Sequence, residues 1–384
     1  MFGLKLLSKL LEEEKPEVNE RRCVRRFRRA TCDRCLQDCP TQAIQLESAP
    51  HIDGSRCVGC GICSNACPTG AFASPTARRL ASSTKANGAG FHCSRAQNGR
   101  MGGIEVPCLG ILGEGTLIAA VLAGKEGRNI LPLDVSHCHK CELKSALGVV
   151  ERTVARANSV LSALGSPKAI VLNRTEREPA VAEQQQSRRA FLNYVRGQAL
   201  KAAAESMDGI LDEALLLSRP PQNSDDNIPI NRALLHYQIE TLLARSGEEI
   251  RRCCIPFGTP SPPDRCDFCG ICAMACPSGA LRTYETDDEW ELRLEVWKCL
   301  DCRACIDTCP TSGLRYRDRS EALQVVARQQ SVLVHVDKAT CASCGRKFAG
   351  SHRKDICPSC EKRIGVGDHF SRGSCEWSRA SSKN

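Results

Sequence analysis

The first residues, M-F-G-L-K-L-L-S-K-L-L-E-E-E-K, set Leu4, Leu7 and Leu11 on one side at helical spacing with charges between them. That spacing predicts an amphipathic helix. The same rhythm returns over 142–164, where Leu143, Leu147, Val150, Val154, Ala157 and Leu161 make one stripe and predict a long helix with a buried face. Before it, I-E-V-P-C-L-G-I-L, L-I-A-A-V-L-A-G and N-I-L-P-L-D-V alternate with glycine, predicting strand, helix and strand in a small α/β unit. S-V-L-V-H-V-D, from residue 331, alternates with period two as a strand would. Residues 166–232 are polar and irregular, with E-R-E-P, Q-Q-Q and P-P-Q-N-S-D-D-N. They predict a linker, interrupted by one helix around 190–216.

A chain of 384 residues predicts two or three domains, and its 4% aromatic content argues against one large core. Bound metal must then supply much of the folding energy. The 27 cysteines fall mostly at metal-binding rather than disulfide spacings, which predicts a reducing, cytoplasmic setting. The N-terminal helix lacks a signal-peptide cleavage pattern, and no apolar stretch approaches the ~20 residues of a membrane span. That helix favours packing on a partner or on the protein itself, with peripheral contact to a membrane surface left open.

Three cysteine runs share the form C-x2-C-x2-C-x3-C-P: Cys57, Cys60, Cys63 and Cys67; Cys266, Cys269, Cys272 and Cys276; Cys299, Cys302, Cys305 and Cys309. In such a run three thiolates hold one cubane and the fourth reaches the neighbouring cluster. Three exact repeats outweigh zinc or free thiols. Exchange of fourth ligands predicts [4Fe–4S] clusters on Cys266, Cys269, Cys272 and Cys309, and on Cys276, Cys299, Cys302 and Cys305. In the N-terminal pair the first run keeps Cys32, Cys35 and Cys39 but carries Arg29 where its first cysteine would stand. One cluster is expected on Cys39, Cys57, Cys60 and Cys63. For the other, two readings compete. Cys23, nine residues before Cys32, completes a cubane with Cys32, Cys35 and Cys67; or the site holds three irons, or none, and Cys23 is a bystander. The strict thiolate requirement of a cubane favours the first, giving four [4Fe–4S] clusters rather than three.

Cys93, Cys108, Cys138 and Cys141 sit in F-H-C, V-P-C-L-G and S-H-C-H-K-C. Their layout resembles the delta subunit of methyl-viologen-reducing hydrogenases over about residues 91–150, although the last loop is close rather than identical. That resemblance implies a two-iron cluster. On spacing alone, [2Fe–2S], tetrahedral zinc and unmetallated thiols all stay open; the iron-rich company favours the first. His92, His137 and His139 read as groups orienting the ligands or as ordinary loop residues.

Cys341, Cys344, Cys357 and Cys360 form two C-x2-C knuckles, as in a zinc ribbon. Similar knuckles hold a single iron in rubredoxin, but softness and availability favour structural zinc. Cys253, Cys254 and Cys375 read as free thiols.

The fold expected is therefore multi-domain α+β. An amphipathic helix and basic segment occupy 1–22, and a dicluster ferredoxin module 23–80. The α/β unit with its long helix takes 91–165, and the linker 166–232. A second dicluster module spans 233–325, the zinc ribbon 331–365 and a tail 366–384. The basic run with Arg21, Arg22, Arg25, Arg26, Arg28 and Arg29 reads as a solvated face beside negatively charged clusters, or as a docking patch for an acidic redox partner. Its single aromatic, Phe27, makes nucleic acid a weak alternative despite the net charge of +9. Ser187-Arg188-Arg189-Ala190-Phe191-Leu192 matches a twin-arginine consensus, but no apolar stretch follows it. With the cluster runs behind it, the C-terminal half resembles the ferredoxin-type accessory protein of periplasmic nitrate reductase.

No G-x-G-x-x-G, Walker loop or serine/cysteine catalytic set is present. Cluster-bearing chains without a substrate cofactor conduct electrons. The leading expectation is an electron-transfer protein, a subunit or accessory of a larger anaerobic oxidoreductase, whose electrons cross between the dicluster units by way of the middle site. The rivals are a cluster or reductase assembly factor and an iron–sulfur nucleic-acid-binding regulator.

Overall fold

A computed structural model describes residues 15–47, 49–82, 90–96, 103–124, 129–175, 228–263, 266–350, 355–361 and 363. The N-terminal amphipathic helix, the helix expected around 190–216, the Ser187–Leu192 motif, Cys375 and the 366–384 tail lie outside them.

The N-terminal module is built from pieces too short to fold alone. Ile44–Leu46 and Pro50–Ile52 form a hairpin, Glu17–Val18 pairs antiparallel with Phe72–Ala73, and Arg34–Gln37 and Ile62–Ala66 are about one helical turn each. Its core is only Cys35, Ile44, Ala71 and Phe72, with Cys23, Cys39, Cys63 and Cys67 packed against them. One of those four is a cysteine and four more pack against them, so cysteine side chains take the place of many apolar ones.

The middle unit carries the larger apolar mass. Gly90–Cys93 runs parallel to Gly103–Val106, and Ile130–Asp134 parallel to Ala169–Asn173. Parallel neighbours need a crossover; helix Ala146–Ala163 lies in the one joining Ile130–Asp134 to Ala169–Asn173, while Glu114–Leu122 links Gly103–Val106 to Ile130–Asp134. The two helices bury Leu117, Ile118, Val121, Val150, Val154, Ala157 and Leu161. Two differences from the sequence reading stand out. Residues 169–173, expected as the opening of a linker, form a strand, because Ile170 closes the core opposite Leu131 and Leu133. Helix Ile230–Ala244, which begins inside the same expected linker, belongs to this core through Leu235, Ile239, Leu242 and Leu243. It approaches Glu114–Leu122 so closely that a Cβ on Gly115 would lie 2.6 Å from the Leu235 nitrogen.

In the C-terminal module Thr259–Ser261 pairs with Arg315–Arg317, and Cys254–Ile255 with Ser320–Glu321. A four-stranded antiparallel sheet takes Leu281–Glu285, Glu289–Glu295, Gln330–Thr340 and Lys347–Ala349 in that order. Its long strand Gln330–Thr340 leads straight into Cys341, so the knuckle unit and the dicluster module share one sheet.

The two modules touch directly. Thr31 donates from its backbone N (2.8 Å) and its hydroxyl (2.9 Å) to Asp307 Oδ2, and Arg34 Nη2 donates to the Asp301 carbonyl at 2.9 Å. Val24, Ala30 and Ala304 form an apolar plug there, with Phe27, Cys32 and Cys302 packed on it. The middle unit is not interposed between them as the expected electron route required.

Candidate metal centres

The cluster loops are positioned by backbone conformations that few residues adopt. In C-V-G-C-G-I-C, Gly59 and Gly61 have φ of 66° and 73°; the matching positions are Phe268 and Gly270 (52° and 72°) and Asp301 and Arg303 (52° and 60°). The second residue after each Cys-Pro is again left-handed: Gln42, Gly70, Gly279 and Ser312. These turns curl each loop so that its thiols converge.

Cys39, Cys57, Cys60 and Cys63 line one cavity, Cys266, Cys269, Cys272 and Cys309 a second, and Cys276, Cys299, Cys302 and Cys305 a third. Cys23, half-buried, feels the thiols of Cys67 and Cys32, and Cys35 feels Cys67, Cys32 and Cys23. The structure thus brings together every group of four that exchange of fourth ligands predicts, Cys23 included. Cys93, Cys108, Cys138 and Cys141 also meet: Cys108 feels Cys93 and Cys138, and Cys138 feels Cys93 and Cys141. The sulfurs of Cys341, Cys344, Cys357 and Cys360 lie within 4.8 Å of one another. Cys253 and Cys254 stand apart on the surface near the Cys254–Ile255 strand, and Cys253 Sγ reaches only the Glu249 carbonyl at 3.9 Å.

Burial pushes the thiols of Cys35, Cys108, Cys272 and Cys299 up to about 12 and that of Cys138 to about 11; nearby thiols add to the rise at each. Four thiols so placed cannot ionise together without a compensating cation, and an iron–sulfur core or a metal ion is that compensation. The donor sets therefore fit the groups expected on them. Cys309 goes the other way. Burial raises it, but the Thr311 hydroxyl and the amides of Leu314, Gly313 and Thr311 together hold it below the usual thiol range.

That hydroxyl belongs to a feature the sequence reading missed. Two residues after each fourth cysteine stands a Thr or Ser whose oxygen lies near the sulfur: Thr41 at 3.8 Å from Cys39, Thr69 at 3.4 Å from Cys67, Ser278 at 3.7 Å from Cys276 and Thr311 at 3.4 Å from Cys309. Ala43 N and Ala71 N donate to the same Cys39 and Cys67 sulfurs, each at 3.3 Å. The signal was in plain view as C-P-[ST] at Cys39, Cys67, Cys276 and Cys309, with a fifth instance at Cys357 in the knuckle. Hydrogen bonds to sulfur are one of the levers on cluster potential.

The thiol sets also neighbour one another in a fixed order. Cys108 of the middle set feels Cys60, and both pack in one apolar cluster around Ile62. Cys63 feels Cys35. Cys302 feels Cys32 across the plug between the modules. Cys305 feels Cys272. Cys269, the exposed member of its set, stands at the far end. Of the histidines, His137 Nδ1 lies 2.9 Å from the Ser136 hydroxyl and His92 Nε2 3.6 Å from Glu105.

Among the described residues no helix is long and apolar enough to cross a membrane. Residues 265–314 match the 4Fe-4S dicluster domain family, and residues 50–73 the 4Fe-4S binding domain family. The chain is 32% identical over 73 residues to the H(2)/formate:CoB-CoM heterodisulfide,ferredoxin reductase subunit C2 of Methanococcus maripaludis, covering 15% of this chain and 40% of that protein. It is 47% identical over 39 residues to an uncharacterized ferredoxin of Methanocaldococcus jannaschii, covering 10% of this chain and 26% of that one. It therefore spans less than half the length of either relative. The chain carries two 4Fe–4S ferredoxin-type domains, one on each side of its middle unit.

Proposed function

We propose that this chain is an iron–sulfur electron-transfer protein of the cytoplasm, working as a subunit or accessory of a larger anaerobic oxidoreductase. Cys39, Cys57, Cys60 and Cys63 hold one [4Fe–4S] cluster; Cys23, Cys32, Cys35 and Cys67 a second; Cys266, Cys269, Cys272 and Cys309 a third; Cys276, Cys299, Cys302 and Cys305 a fourth. Cys93, Cys108, Cys138 and Cys141 hold a [2Fe–2S] cluster, and the knuckles Cys341, Cys344, Cys357 and Cys360 a zinc ion in a ribbon. The bound clusters supply one-electron storage at potentials set by their surroundings.

The observation that carries this reading is the succession of the thiol sets. They follow one another from Cys108 through Cys60, Cys63 and Cys35 to Cys32, then across the module contact to Cys302, Cys305 and Cys272. A protein that stored or donated isolated clusters would have no need of that order. Thr31 and Asp307 hold the two middle sets against each other, and the buried plug of Val24, Ala30 and Ala304 packs against Cys32 and Cys302. A relative named as a reductase subunit is consistent with protein redox partners. The test is an iron, sulfide and zinc count on anaerobically purified protein, expected near about 16 irons in cubanes plus two in the middle set, with one zinc. Fewer than about twelve irons after reconstitution would overturn the four-cubane reading.

A further inference from the structure

A cavity of about 650 Å³ lies between the two ferredoxin-type domains and the start of helix Ile230–Ala244. Small-molecule sites run from about 300 to 1,000 Å³. Its wall carries five arginines, Arg34, Arg152, Arg156, Arg232 and Arg303, against three acids, Asp38, Glu114 and Asp301. The acids are already taken. Arg152 pairs with Asp38 and Arg156 with Glu114. Asp301, 7% exposed, accepts the Tyr316 hydroxyl at 2.8 Å and faces Arg34 at 3.6 Å and Arg303 at 4.0 Å.

Arg232 is left over. Its guanidinium lies over the Phe257 ring, 4.0 Å from the centroid, and among the described residues it donates no hydrogen bond and makes no ion pair. Burial works against its charge, with only the more distant fields of Asp301, Cys299 and Glu114 in its favour. It also stands in the first turn of a 15-residue helix, where a cation meets the positive end of the backbone dipole. A second helix, Glu114–Leu122, turns its N-terminal Gly113, Glu114 and Gly115 to the same space. A half-buried charge with no ion pair, set at a like-signed pole and facing an open cavity, is a ready contact for an anion.

Two residues of the Cys299–Cys305 loop, held left-handed by the same curl as in the other cluster loops, also shape this wall. Asp301 and Arg303 occupy the left-handed positions that glycine fills at Gly59 and Gly61, at a cost of about 1 kcal/mol each. Both side chains line the cavity. Tyr316, its one aromatic among the described residues, is covered by Arg303 at 3.8 Å, so no flat apolar slot for a nucleobase is left.

We propose that this cavity binds a compact polyanion bearing carboxylate or phosphate groups, with Arg232 as its principal contact and Arg303 as a second. The wall carries a surplus of two positive charges, five arginines less three carboxylates, which favours an anion of more than one charge. This site is independent of the electron-transfer reading. The competing account makes Arg232 a counter-charge to the thiolate of Cys299, in which case no small anion would bind.

The test is calorimetry on the anaerobically purified, cluster-loaded chain, titrated in separate arms with citrate and with inorganic pyrophosphate at chloride-matched ionic strength. Saturable one-to-one binding of at least one is expected. Citrate alone would assign a carboxylate ligand, pyrophosphate alone a phosphate, and both a site that reads charge. Arg232→Gln should weaken binding about ten- to hundred-fold, the loss of a charge-assisted hydrogen bond. Arg232→Lys should weaken it less, since the charge stays and the fork is lost. Arg328→Gln, whose guanidinium covers Trp297 instead, should bind as the parent does. Arg303 is half-exposed, so Arg303→Gln gives a second reading should Arg232→Gln fail to fold. Silence with both anions, or affinity untouched in whichever of Arg232→Gln and Arg303→Gln folds, overturns the proposal.

Discussion

Replacing Cys23 by alanine separates a ligand from a bystander. The residue sits between two 3₁₀ turns, Glu20–Arg22 and Val24–Arg26, and the chain around it is tied down independently of its thiol. Val24 is 2% exposed in the plug against Ala304, the Phe27 amide donates to the Val24 carbonyl at 2.9 Å, and Arg26 Nη1 donates to the Arg21 carbonyl at 2.7 Å. Loss of one half-buried sulfur should therefore cost the bare fold about 1 kcal/mol or less. The effect on iron should be much larger in kind. With three thiols left, Cys32, Cys35 and Cys67, one corner of the cubane has no ligand. About one iron of the roughly 16 in cubanes should be lost, leaving a three-iron cluster, or about four if the whole cluster goes. The assay is a paired iron count and EPR spectrum of the oxidised protein after anaerobic purification. Cys253→Ala, on a thiol that meets no other, is the matched control. An iron content and spectrum identical to the parent in Cys23→Ala would refute the ligand assignment.

Gly61→Ala and Gly270→Ala should differ although both glycines are left-handed. A Cβ at Gly61 would lie 2.3 Å from Ile111 Cδ1, whereas at Gly270 nothing stands within 4 Å; denaturant unfolding should show losses of about 2–5 kcal/mol and about 1 kcal/mol respectively. His236 is half-buried beside Arg232 with its Nε2 enclosed, and desolvation first, then that charge, lowers it to about 3. The unfolded chain takes up a proton near pH 6.5 that the folded one refuses, so stability falls as pH drops from about 6.5 towards 3, by up to ~1.4 kcal/mol per unit. His236→Leu should flatten the parent's slope between pH 6.5 and 5 in urea titrations, and an unchanged slope would contradict it. Thr311→Val should raise the Cys309 thiol and shift the potential of its cluster negative in a redox titration, with no iron lost.

The thiol groupings were legible because cluster chemistry forces a spacing that sequence displays openly. Exchange of fourth cysteines was drawn from the repeat and Cys23 from the vacancy at Arg29; the structure sets those thiols near one another, and that they ligate clusters is the proposal. The helix at 142–164 was equally plain, since its stripe faces one core; it forms over Ala146–Ala163. What sequence could not show was long-range placement. Ala169–Asn173 has one buried side chain, Ile170, too little periodicity to announce a strand. Helix Ile230–Ala244 follows a polar stretch, and nothing local says that it docks on Glu114–Leu122 through Gly115. The contact between the modules joins the small plug of Val24, Ala30 and Ala304 to Thr31, Arg34, Asp301 and Asp307, polar residues that read as ordinary surface. The route through the middle site was inferred from chain order, which three-dimensional adjacency did not follow.

The contact from Thr31 to Asp307 spans 276 residues of chain, and that separation has a consequence in time. On a ribosome adding about 5–20 residues per second, the face of the N-terminal module bearing Cys32 emerges about 15–55 seconds before its cover has been made. Throughout that interval Cys32 and the plug around Val24 stand open to solvent and to oxidants. On the proposed assignment, the cluster of the Cys23, Cys32, Cys35 and Cys67 set has this window for its loading, and the arrival of Ala304 and Cys302 closes it. Damage to that cluster in the finished protein would then be repaired only after the modules part, so its lifetime is tied to how often the Thr31–Asp307 contact opens.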